Sequence, residues 1–123
     1  MTATALDIQA ARFGEARSPF LSARRVADLL GVPMSELAKL IGVARNTLSA
    51  KTGARKVDAA LSPIVRILAM AEEMAGDEQR AAIWFKHQPI PGWAGKTAYD
   101  LVEEGKADKV LAYLEAVRSG VYA

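Results

Sequence analysis

Between Leu37 and Leu48 the sequence sets a small residue, Ala38, four positions before a glycine, Gly42, and an apolar Leu48 six positions after it. That spacing admits few local folds. Ala38 must be small where a second helix crosses close above it, and Gly42 allows a sharp turn by taking a positive φ. Leu37, Ile41, Val43 and Leu48 join the two helices. The stretch 34–51, MSELAKLIGVARNTLSAK, therefore predicts a helix-turn-helix whose second helix, from about Arg45 to Lys51, exposes Arg45, Asn46, Thr47, Ser49 and Lys51. All five can donate hydrogen bonds to base edges or phosphates. From Val43 to Val57 there are four basic residues and no acidic one.

The rest of the chain keeps helical periodicity. Ser22 reads as the N-cap of a helix to Leu30 with Gly31 past its end, and Pro33 opens the next helix at its first turn. Residues 52–61 read as a connection. At 62–76, SPIVRILAMAEEMAG, Ser62 resembles an N-cap and Pro63 a first helical residue. Ile64, Val65, Ile67, Leu68, Ala71 and Met74 make the following helix apolar around much of its circumference, which predicts a central, buried element. Asp77 caps a helix through Trp84 and Phe85, both expected in the core. Two prolines and two glycines within 88–96, QPIPGWAGK, demand a shaped loop. Thr97 and Asp100 form a candidate capping box for a short helix ending at Gly105. Ala107, Val110, Leu111, Leu114 and Val117 then lie on one stripe of a last helix to about Ser119. No segment alternates with period two, so the expected fold is all-α. It comprises an N-terminal arm (1–21), a helix-turn-helix region (22–61) and a small helical region (62–123) sharing its core.

Composition limits the chemistry. The chain has 123 residues, 51% hydrophobic and 24% charged, enough apolar material for a core. It has no cysteine and one histidine, His87, so neither disulfides, a thiolate nor a zinc site is expected. No cofactor motif, Gly-rich phosphate loop or nucleophile–base pair is present, and an enzyme is not expected. Glu72/Glu73 and Glu103/Glu104 are adjacent pairs that diverge by about 100° on a helix and read as solvated faces. The N-terminus reads as neither signal peptide nor anchor and no apolar run reaches bilayer length, so no membrane partner is expected and the cytoplasm is the simplest compartment. The net charge of +2 is unevenly spread: residues 1–60 carry a balance of +4 and residues 61–123 one of −2.

Residues 84–123 resemble the Xre/MbcA/ParS toxin-binding family of antitoxins. The resemblance rests on Trp84, Pro89, Gly95, Thr97, Leu101, Gly105, Val110, Leu114 and Gly120 in order, with the preceding helix-turn-helix agreeing with the family layout. Ala98 follows the capping Thr where the family often has proline, and Trp93 stands where a smaller apolar residue is common. The resemblance implies a RES-type toxin as partner, one that degrades NAD or transfers ADP-ribose from it. It further implies that the C-terminal end of the antitoxin covers the toxin's NAD pocket. Carried onto this chain, the contact set is Trp93 and Lys96 in the loop, Arg118 on the last helix, and Gly120, Val121, Tyr122 and Ala123.

Two functions thus stand ahead of an enzyme. One is an antitoxin of a type II toxin–antitoxin system, a homodimer within a hetero-oligomer, which also binds operator DNA and represses its own operon. The other is a stand-alone helix-turn-helix repressor. The back half discriminates them, because a simple repressor needs a dimerisation element but no shaped Pro/Gly loop.

Overall fold

A computed structural model describes residues 22–49 and 54–120, and among these every regular element is helical. The order is α1 (Ala23–Leu30), α2 (Met34–Ile41), α3 (Arg45–Ser49), α4 (Ala54–Ala75), α5 (Glu78–His87), α6 (Ala98–Glu103) and α7 (Ala107–Arg118). The N-terminal arm 1–21, Lys51 and the tail Val121, Tyr122 and Ala123 lie outside the described residues.

The expected caps close most of these helices. Ser22 Oγ accepts from the Arg25 N–H at 3.3 Å, and Asp77 Oδ1 accepts from the Arg80 N–H at 2.7 Å. Thr97 Oγ1 accepts from the Asp100 N–H at 3.2 Å while Asp100 Oδ2 accepts from the Thr97 N–H at 3.0 Å, a complete capping box. Pro33 stands at the N-cap of α2, one position before the expected first turn. At the turn of the motif Gly42 takes φ 73°, and its N–H donates to Lys39 O (3.3 Å) while Val43 N–H donates to Ala38 O (3.0 Å). These two bonds are a Schellman closure, which a side chain at position 42 would strain through its backbone angle.

One element departs from the sequence reading. Residues 54–61, expected within a connection, are the first turns of α4, a continuous helix of 22 residues with Pro63 in its interior. The expected boundary between positions 61 and 62 falls inside that helix. Ser-Pro imitates a helix start, but Val57, Leu61, Ile64 and Leu68 continue one stripe at i, i+4, i+7 and i+11, and all four are buried. An interior proline costs about 3 kcal/mol. Burying each large apolar side chain returns about 1.5–3 kcal/mol, so the packed stripe wins. Ala59, whose carbonyl loses its helical donor to Pro63, occupies an exposed position where water replaces the bond.

α4 is the axis of the fold. α1, α3, α5 and α7 pack against it, and α2 packs on α6, so the helix-turn-helix touches the C-terminal region directly. A single core cluster joins Val26, Leu30, Leu37 and Leu40 to Ile64, Ile67, Phe85, Leu101, Val110 and Leu114. Phe85 meets Tyr99 edge-on, with centroids 5.9 Å apart and planes at 72°, which ties α6 to α5. The expectation of a shared core is met. Replacing Pro63 by Ala should restore the donor to Ala59 O and raise the unfolding free energy by about 1–3 kcal/mol in urea titrations. A loss of stability would show instead that the ring, which lines one depression with Ile41 and Gly42, contributes more than the broken bond costs.

Candidate functional site

Residues 88–97 form a closed loop. An antiparallel bridge pairs Pro89 with Thr97, and Ile90 N–H donates to Lys96 O at 2.8 Å. Inside it Trp93 N–H donates to Ile90 O (3.3 Å) and Lys96 N–H to Trp93 O (3.0 Å). Gly92, Ala94 and Gly95 all have positive φ, at 86°, 53° and 85°. The alanine is held in a conformation that disfavours L side chains because the surrounding bonds and the buried Ile90 fix the path.

The loop is fastened to the start of α7 through charge. Lys96 Nζ lies 2.8 Å from both carboxylate oxygens of Glu104, and Lys106 Nζ lies 3.3 Å from Glu104 Oε1. The same ammonium stands 5.5 Å from the centroid of the half-buried Trp93 ring, a cation–π contact. The hydrogen bond from Lys96, helped by Lys106, holds the Glu104 carboxyl below the ordinary glutamate range. Burial pushes the Tyr99 hydroxyl up, reinforced by the negative charges of Glu36, Glu103 and Asp100.

Arg118 belongs to a different patch. Its Nη2 lies 2.7 Å from both oxygens of Glu115, and its Nη1 lies 3.8 Å from Glu73 on α4. Gly120, with φ 84°, follows the Ser119 C-cap. The twelve residues of α7 span about 18 Å at 1.5 Å each. The structure therefore brings Trp93 and Lys96 together at one end of α7 and leaves Arg118 and Gly120 at the other.

Four of the DNA candidates, Arg45, Asn46, Thr47 and Ser49, lie on α3, and Lys51 lies outside the described residues. Arg45 and Asn46 are exposed, Thr47 is half-buried, and Leu48 packs toward the core. Thr47 N–H donates to Ala44 O at 2.9 Å, closing the first turn. Ser49 ends the described part of α3.

Sequence reasoning missed one surface. Of Trp84 and Phe85, both expected in the core, Phe85 is fully buried but Trp84 is only half-buried, and Ile83 beside them is 61% exposed. Three consecutive residues spread over about 200° of a helix, so they cannot all face inward. Ala71 and Met74 of α4, Trp84 of α5, and Tyr113, Leu114 and Val117 of α7 line an open groove of about 270 Å³. Arg80, Ile83, Trp84 and His87, a second stripe of α5 at i, i+3, i+4 and i+7, line a neighbouring depression that meets the groove at Trp84. His87 itself is exposed.

Residues 9–65 match the antitoxin Xre-like helix-turn-helix domain, and residues 70–120 match the antitoxin Xre/MbcA/ParS C-terminal toxin-binding domain. The chain belongs to the Xre/MbcA/ParS antitoxin family. No curated protein and no solved structure matches it. In this antitoxin the toxin-binding domain holds the loop, its Glu104 fastening, α5 to α7 and the apolar groove. The helix-turn-helix domain holds α1 to α3 and the first part of α4. No helix among the described residues is long and apolar enough to cross a membrane, and none of their His, Asp and Glu side chains gather in threes able to hold a metal ion.

The lowered Glu104 pKa fixes a sign. A carboxylate favoured in the folded state contributes stability above its unfolded pKa, and that contribution is lost as pH falls through the lower folded value. Acidification below the ordinary glutamate range should therefore release the loop fastening. In a Trp84→Phe background the Trp93 fluorescence should change over that window, and the further change Glu104→Gln should abolish the transition.

Proposed function

We propose that this chain is the antitoxin of a type II toxin–antitoxin pair, that it neutralises a RES-type toxin by blocking the toxin's NAD pocket, and that it represses its own operon. The observation that carries this reading is the toxin-binding domain over residues 70–120, built on one core with a helix-turn-helix domain. It favours an antitoxin over a stand-alone repressor, which has no use for the fastened loop. The RES-type partner and the NAD pocket rest on the family resemblance of residues 84–123.

Each candidate residue has a role in this scheme. Trp93 and Lys96, held by Lys106 and Glu104, present an aromatic ring and an ammonium on a loop of fixed path. Val110 in the first turn of α7 and Leu114 in its middle are buried and fix the helix on the body, so residues beyond Gly120 continue from an anchored helix. Val121, Tyr122 and Ala123 enter the pocket from there, beside Arg118. The antitoxin works without a cofactor. Arg45, Asn46, Thr47, Ser49 and Lys51 meet operator DNA, and a homodimer presents two such helices to two half-sites.

The reading is tested by co-expression with the protein that the neighbouring reading frame encodes, expected to be of RES type, following growth and NAD turnover. The intact chain should restore growth. Removing Val121 to Ala123 should leave the melting temperature unchanged and return toxin activity, whereas full neutralisation by the shortened chain would move the blocking contact to the loop at 91–96. For DNA, the double change Arg45→Ala with Lys51→Ala should weaken operator binding and lower the slope of log affinity against log salt by about 2, with neutralisation intact. Promoter DNA that is not retarded at low salt, with or without toxin, would exclude repression.

A further inference from the structure

The two large apolar side chains most exposed among the described residues, Ile83 at 61% and Met74 at 42%, border the same face. Trp84 divides that face into two depressions. On one side is the groove with Met74, Tyr113 and Val117; on the other, a depression of about 250 Å³ is lined by Arg80, Ile83, His87 and Gln88. Both are open and smaller than the roughly 300–1,000 Å³ of small-molecule sites, so they suit side chains of a protein better than a free ligand. The inward stripe of α5, Ala81, Ala82 and Phe85, already holds the helix to the core. Ile83 on the outward side is therefore not needed to hold α5 in place, whereas the half-buried Trp84 packs at the edge of the core.

We infer that this two-part apolar face is a docking surface for the toxin, separate from the loop and from the residues beyond Gly120, and that it receives an amphipathic helix of the toxin whose apolar side chains straddle Trp84. This rests on the antitoxin reading above. Three observations select the toxin as occupant. Every residue lining both depressions lies within 70–120, the span of the toxin-binding domain. Arg118, one residue after the groove-lining Val117, sits at the rim in exposed ion pairs with Glu115 and Glu73. Such solvent-screened pairs contribute little, so an acidic residue flanking the incoming helix can take the guanidinium over readily. Finally, Val117 lies one residue before the end of α7, so a toxin seated here also reaches the C-terminal end of that helix. A tryptophan between two depressions with an arginine at the rim is the composition of an interface anchor.

The test uses the full chain with Met74→Glu and Ile83→Glu, alone and combined. Both positions are exposed, so the melting temperature and operator retardation should stay as in the unchanged chain. Affinity for the purified product of the neighbouring reading frame, the expected toxin, should fall at least about 30-fold in the double variant. Unchanged affinity overturns the docking surface while leaving the antitoxin reading intact, because the unchanged chain still binds and neutralises. Failure of the unchanged chain to bind that toxin removes the antitoxin reading and this surface with it. Light scattering on the free proteins separates the remaining occupant. A fall from two copies to one in the double variant assigns the face to a second copy of this chain and overturns the proposal.

Discussion

A helix that is apolar around most of its circumference has to be covered on most sides, and α4 imposes that requirement on everything else in the molecule. Leu61, Ile64, Val65, Ile67 and Leu68 are buried in succession, so no single neighbour can shield them. α1, α3, α5 and α7 each contribute one stripe, and their order around α4 follows from which stripe each can offer. The same burial keeps α4 helical through Pro63. Without it, the proline would end the helix where the sequence suggests that one begins.

Sharing this helix makes the two domains of the antitoxin mechanically one. The helix-turn-helix domain takes the N-terminal turns of α4 as its last element, and the toxin-binding domain takes the C-terminal turns. α2 also rests on α6, so the helix that supports α3 is packed on the segment that follows the loop. Leu40 and Leu101 belong to one core cluster. α3 and the loop are thus held in fixed relation through apolar contacts rather than through a linker.

The functional surfaces are held more lightly than the core. Around the loop, the pairs among Lys96, Glu104 and Lys106 are exposed and individually weak. The path of the loop comes instead from its backbone hydrogen bonds and the buried Ile90, and the charges set only where Trp93 lies against α7. At the other end of α7, Arg118 is held in the same loose manner. The side chains proposed to meet a partner are in this way presented on a rigid frame by exposed contacts that a partner could replace.

Much of this was legible in the sequence because it depends on neighbours a few residues away. The caps at Ser22, Asp77 and Thr97, the left-handed Gly42, the closed Pro/Gly loop and the stripe of α7 are local arrangements, and local chemistry decides them. The course of α4 was not legible in the same way, since Ser62-Pro63 carries the local signature of a helix start and only burial of Val57 and Leu61 overrides it. Nor was the separation of Trp93 and Lys96 from Arg118 evident, because sequence gives membership of a region but not which end of a helix a loop folds onto. The groove depended most on tertiary structure. Ile83, Trp84 and Phe85 are equally apolar as letters, and which of them faces water was decided by where α4 and α7 left room beside α5.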